Sequence, residues 1–123
     1  MSKRAMVVTA FLAALWSCSS IDNELKSFMK CGLAASKLEK YVAQKVISDK
    51  LKKYIENEEV DGAARNAMRL GQEVRDDLAL YEKSLQGQFY KLVKVYNSSE
   101  CRSIHNQNKI SMPFSYYVKY LFL

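Results

Sequence analysis

The chain has 123 residues, 49% of them hydrophobic, and a formal charge of +6. That length suits one small domain with a modest core. One Pro and four Gly are too few for a turn-rich β fold and favour long helices.

The first element is a leader. Lys3 and Arg4 precede a twelve-residue uncharged, mostly apolar run, Ala5 to Trp16, which closes on Leu15-Trp16-Ser17-Cys18 and Ser19-Ser20. A charged start, a short apolar stretch and a small-residue zone form an export signal. The run is shorter than the roughly 20 apolar residues a bilayer crossing needs. Leu15-Trp16-Ser17-Cys18 resembles the lipobox of bacterial lipoproteins, with leucine three before the cysteine and a small residue one before it. Trp16 departs from the small residue usual at the position between. The resemblance covers residues 1–18 only. It implies removal of residues 1–17, acylation of Cys18 and anchoring in the membrane, with about 0.8 kcal/mol gained per buried methylene. Ser19 after the cysteine implies the outer membrane, facing the periplasm. The competing reading is an ordinary secretory signal cut after Ser20, giving a soluble secreted protein. An uncleaved anchor or a buried apolar N-terminus are the remaining options.

Export bears on the cysteines. Besides Cys18 there are two, Cys31 and Cys101. In an oxidising compartment an even remainder points to one disulfide. It would close a loop of about 70 residues, worth about 3–4 kcal/mol in the chain-entropy model. Two buried free thiols, packing as small hydrophobes, are the alternative.

The first helix is expected to start near Ser20 or Asp22, either of which can cap it. Phe28, Cys31, Ala35, Leu38 and Val42 form one apolar stripe at spacings of three and four. The stripe resumes one step over with Ile47, Leu51 and Tyr54 or Ile55. That phase shift predicts a bend, stutter or break near Ser48. A polar turn follows, Asn57-Glu58-Glu59-Val60-Asp61-Gly62, with Asp61 placed to cap the next helix.

The second helix is expected from Gly62 to Tyr96. Ala67, Leu70 or Gly71, Val74, Leu78, Tyr81, Leu85, Gln88 or Phe89, Leu92 and Val95 or Tyr96 recur close to every 3.5 residues, a heptad-like seam. Asn97-Ser98-Ser99 stops it; the same triplet is a glycosylation acceptor pattern if the source is eukaryotic.

Two helices of about 35 residues, roughly 50 Å each, would fold antiparallel about a turn near residue 59. Charge supports the pairing. Residues 22–53 carry a net +4, residues 56–83 a net −4 and residues 84–123 a net +4. Lysines 37 to 53 would then face acids 61 to 82, selecting orientation more than adding stability, since single surface pairs contribute at most about 1 kcal/mol. In a straight hairpin Cys31 lies opposite residue 87. A bridge to Cys101 therefore requires the chain after Asn97 to fold back, or a break at Ser48 that makes a three-helix bundle. The expected fold is all-α, an antiparallel helical hairpin or small three-helix bundle with a coiled-coil-like seam, over residues 18–102.

Residues 103–123 form a polar linker and an aromatic tail, Phe114-Ser115-Tyr116-Tyr117-Val118-Lys119-Tyr120-Leu121-Phe122-Leu123. The tail can cover the open side of the helices, form an edge strand or lie at a membrane interface; a covering segment is favoured.

Little in the chain points to chemistry. His105, the single histidine, sits in a polar stretch and is expected to be an exposed loop residue; with no Cys-x-x-Cys it makes no metal site. There is no Gly-x-Ser-x-Gly elbow, P-loop or Gly-x-Gly-x-x-Gly. Glu73, Asp76, Asp77 and Glu82 could do acid–base work, as in a small hydrolase, but their spacing from Arg65, Arg69 and Arg75 favours salt links on a solvated face. Lys50, Lys52 and Lys53 would meet the acidic helix, or lipid phosphate. With Tyr116, Tyr117 and Tyr120 they make the candidate interaction surface. The helical tyrosines are read as core or seam-edge residues. The combined expectation is a non-catalytic lipoprotein without cofactor, metal or nucleic acid. It would be anchored through Cys18, would bind another envelope protein, and could form a homodimer through its seam.

Overall fold

A computed structural model describes residues 21–58 and 62–112, with Ser115. Cys18, the leader and Tyr116, Tyr117 and Tyr120 lie outside the described residues, as does Asp61. The described chain is an all-α small bundle, as its composition indicated. It contains α1 (21–37), α2 (Tyr41–Asn57), α3 (Ala63–Leu78), a 3-10 turn (Leu80–Glu82), α4 (Leu85–Tyr96) and α5 (Ser99–His105). Among the described residues no helix is long and apolar enough to cross a membrane.

Each long helix expected from periodicity is broken once, the first not at Ser48, where the phase shift placed it, and the second where no break was expected. The first comes at residues 38–40. Ser48 lies inside α2, which is continuous. Glu39 takes a left-handed conformation, φ 56°. Its N–H donates to the Ser36 carbonyl at 3.1 Å, and the Lys40 N–H reaches back to Ala35 at 2.8 Å. That pair of bonds is a Schellman ending, which usually carries glycine at the left-handed residue. The turn re-phases the apolar stripe: Phe28, Cys31 and Ala35 are buried, but Val42 is exposed and Ala43 and Ile47 take over.

The second break is at Ala79, also left-handed (φ 47°), whose N–H bonds the Arg75 carbonyl at 2.9 Å. The 3-10 turn follows, and Ser84 then caps α4 by accepting from the Gly87 N–H at 3.2 Å. The expected seam is interrupted here. Leu70, Val74 and Leu78 are buried before the break and Leu92, Val95 and Tyr96 after it, while Tyr81, Leu85 and Phe89 face outward. Asn97-Ser98 does end α4, and Ser98 caps α5 through the Cys101 N–H at 3.2 Å.

These breaks change which helices pair. Phe28 meets Tyr54 with ring centroids 5.6 Å apart, and Gly32 lies against Ile47, so α1 and α2 run antiparallel about the Glu39 turn. Gly62, left-handed at φ 68°, leads into α3, which runs opposite to α2. Consequently α1 and α3 lie parallel, with Asp22 bonded to Arg69 at 3.2 Å and Lys26 to Glu73 and Asp77 at 3.5 and 3.2 Å. Among the described residues the charge attraction therefore operates between 22–26 and 69–77, and not between Lys37–Lys53 and the acids as expected. The core sits where all five helices meet: Phe28, Cys31, Ala34 and Ala35 from α1, Ala43 and Ile47 from α2, Val74 and Leu78 from α3, Leu92, Val95 and Tyr96 from α4, and Cys101 from α5.

The Cys31–Cys101 bridge is present, with Cα atoms 5.4 Å apart and both residues fully buried. The chain folds back after Asn97, as the pairing required, and does so as a helix: α5 packs against α2 and α4. Around the bridge, the Glu100 carboxylate accepts from Lys30 at 2.7 Å and from the Ser27 hydroxyl.

Candidate functional site

The site is an open cleft of about 630 Å³ between the α1–α2 turn and the segment that follows α5. One wall is the first turn of α2. Tyr41 and Val42 stand there 68% and 66% exposed, because the left-handed Glu39 rotates them off the buried stripe. Ala43 and Tyr96 contribute buried apolar surface to the lining, and residues 107–111 make the opposite wall. The lining mixes apolar Tyr41, Val42 and Ile110 with polar Gln107 and Asn108, and carries charge through Glu39, Lys40 and Lys109.

An extended segment would normally drift at the surface. Here two side chains hold it. The Asn97 amide donates to the Ile110 carbonyl, and its oxygen accepts from the Ile110 N–H, both at 2.8 Å. The side chain thus pairs with a backbone unit as a neighbouring strand would.

The second anchor is His105, and here the structure corrects the sequence reading. His105 belongs to α5 and is fully buried. Its ring stacks on Tyr96, centroids 4.3 Å apart at 20°. The Gln107 N–H donates to Nδ1 at 2.9 Å, and Nε2 lies 3.0 Å from the Tyr96 carbonyl. A backbone N–H can only donate, so Nδ1 must be a bare acceptor and Nε2 must carry the hydrogen it gives to Tyr96. The neutral Nε2-protonated tautomer satisfies both partners. Burial raises the Tyr96 phenol above its ordinary pKa.

A smaller notch of about 240 Å³, lined by Lys26, Ser27, Lys30, Asp77 and Glu100, lies elsewhere. Its charges neutralise one another. The hydrogen bond to Asp77 raises the Lys26 pKa, and hydrogen bonds from Lys30 and then Ser27 hold the Glu100 carboxyl below its ordinary range.

Of the candidate interaction residues, Lys50, Lys52 and Lys53 do not line the cleft. Lys50 Nζ donates to the Ser103 carbonyl of α5 at 3.4 Å, and Lys52 and Lys53 are exposed on α2. Among the described residues none of the three is paired with Glu73, Asp76 or Asp77 of α3. The α3 carboxylates do enter salt links and local bonds. Glu73 accepts from Arg69 at 3.1 Å, and Asp76 from Gln72 at 2.9 Å. Among the described residues no group of three or more His, Cys, Asp or Glu is placed to hold a metal. The residues that sequence reasoning missed are Glu39, Asn97 and His105. One signal for α5 was present: Ser98-Ser99-Glu100 is a helix start, with a capping serine and an acid in the first turn.

Fold and cleft together define a disulfide-clasped helical bundle with an open, mixed-polarity groove. Comparison with protein-family models, curated proteins and solved structures returns no match to this chain.

Proposed function

We propose that the protein is a non-catalytic envelope lipoprotein, anchored to the outer membrane through acylated Cys18, whose helical body is a protein–protein interaction module. One observation carries the binding part of this reading. The cleft presents Tyr41 and Val42 to solvent on walls that are fixed by a buried disulfide, the Asn97 clamp and the His105 ring. Exposed aromatic and aliphatic anchors on a rigid support are what a docking surface requires, because little ordering entropy is lost on association. The mixed lining fits an extended or helical segment of another envelope protein. The buried bridge supports export, since such bonds persist in oxidising compartments. The leader remains the support for the lipid anchor.

The test is photocrosslinking in intact cells from probes at Tyr41 and Val42, with fatty-acid labelling in parallel. The expected result is one discrete crosslinked partner that is lost in a Val42→Asp chain, and label that is lost in Cys18→Ser. No crosslinked species from either position would end the module reading. Label retained in Cys18→Ser would end the lipoprotein reading, and unlabelled material in the soluble fraction would favour a secreted binding factor.

A further inference from the structure

The cleft wall that follows α5 has an open main-chain edge. Residues 106–112 contain no helix, turn or bend. Exposure alternates along their second half: Lys109 and Ser111 are exposed, and Ile110 and Met112 are half-buried. That is the pattern of an extended strand with one face on a core. In such a strand the N–H and C=O of one residue point to the same edge, and those of the next residue to the opposite edge. Ile110 directs both groups to the Asn97 side chain, at 2.8 Å each. Lys109 and Ser111 therefore direct theirs away from Asn97. Among the described residues neither makes a main-chain hydrogen bond. Asn97 fills one edge as a neighbouring strand would, and the other edge is free.

Both residues line the cleft, whose opposite wall carries the exposed Tyr41 and Val42. Lys40 and Lys109 stand in that lining against a single acid, Glu39.

We propose that an extended segment of a protein partner adds to this edge as a strand. Its main chain pairs with Lys109 and Ser111, its alternate apolar side chains lie on Tyr41 and Val42, and it carries an acid between them. The inference rests on the interaction-module reading and narrows the partner. A docked helix has its own backbone groups bonded. It would cover the open N–H and C=O groups of Lys109 and Ser111 without pairing them, whereas a strand pairs them. The edge is already fixed by Asn97 and by the bond from the Gln107 N–H to His105, so little order is lost on pairing. The excess of lysine in the lining favours an acid in the partner. A second copy joined edge to edge would instead set these lysines against one another.

The test separates main chain from side chain. Ser111→Pro removes the open N–H, and proline suits an extended position and holds the residue before it extended. Ser111→Ala removes only the hydroxyl. In intact cells the crosslink from a probe at Val42 is expected to fall at least about tenfold in Ser111→Pro and to stay unchanged in Ser111→Ala. Helix content and protection of the Ile110 amide in the purified full chain should match the parent in both. If Ser111→Pro loosens Ile110, a peptide decides. The probe is the blocked hexapeptide Thr-Val-Asp-Val-Thr-Val, which should protect the Lys109 and Ser111 amides from exchange. Of two copies N-methylated on alternate sets of nitrogens, one should bind at least about tenfold less than the other. A crosslink equal in Ser111→Pro and the parent, with Ile110 intact, or two methylated copies that bind as the unmodified peptide does, would overturn strand addition and leave the module reading standing. No crosslink from Tyr41 or Val42 would end the module reading and the strand with it. A dimer of the purified chain dispersed by Ser111→Pro, with no crosslinked partner of another mass, would overturn the proposal by assigning the edge to a second copy.

Discussion

Single residues decide how tightly the ends of this bundle are held. His105 shows how a polar side chain can belong in a core. Both ring nitrogens are bonded to backbone groups, and the flat face stacks on Tyr96, so no polar atom is stranded. Glu100 acts at the other side of α5. Its carboxylate is favoured by Lys30 and Ser27, so its folded-state pKa lies below the unfolded one. The sign follows from linkage. Its contribution is complete above the ordinary glutamate range and is lost as pH falls through the depressed folded value. Stability is therefore expected to fall on the acid side below that range. Glu100→Gln should make the acid limb shallower while lowering stability near neutrality. Urea midpoints measured across pH check both outcomes.

At the scale of elements, the breaks explain what the sequence hid. Periodicity correctly placed Phe28, Cys31, Ala35, Val74, Leu78 and Leu92 inward. It missed the stops at Glu39 and Ala79 because neither is Gly, Asn or Pro, the residues that announce a helix end. Both positions hold side chains where glycine is strongly preferred, a conformation that costs an L-residue about 1–2 kcal/mol. Glu39→Gly is accordingly expected to raise stability by up to about 1 kcal/mol, part of the relief being offset by the looser unfolded chain. Denaturant unfolding measures it, and a loss would show that the Glu39 side chain contributes more than its backbone strain. The Asn97 clamp makes the opposite forecast. Asn97→Ala removes two hydrogen bonds to Ile110, at a cost of about 1–2 kcal/mol, and should speed amide exchange at Ile110 far more than at Val93. The clamp was illegible beforehand because its partner lies 13 residues on, in a stretch with no periodicity.

Across the whole molecule, the even count of two cysteines besides Cys18 pointed to the bridge, and the low Gly and Pro content pointed to the all-α class. The pairing of helices was not accessible. The charge pattern fitted an antiparallel hairpin as well as it fits the parallel α1–α3 contact, since surface charges constrain orientation weakly. The cleft depended on the unseen Glu39 turn and so could not be foreseen. Reduction of Cys31–Cys101, which spans a 70-residue separation, is expected to lower unfolding stability by about 4 kcal/mol in the chain-entropy model. Urea unfolding with and without reductant tests this, and a change under 1 kcal/mol would mean that helix packing alone closes the loop.

The same bridge also determines how the protein would carry mechanical load. A pull entering through α1 and leaving through α5 passes from Cys31 to Cys101 along a covalent path, and α2, α3 and α4 hang outside it as a slack loop. Their contour, roughly 240 Å when drawn out at about 3.4 Å per residue, stays hidden until the sulfur–sulfur bond is cut. A body pulled at α1 and α5 would keep the interior of its bundle unstretched, with thiol chemistry as the release.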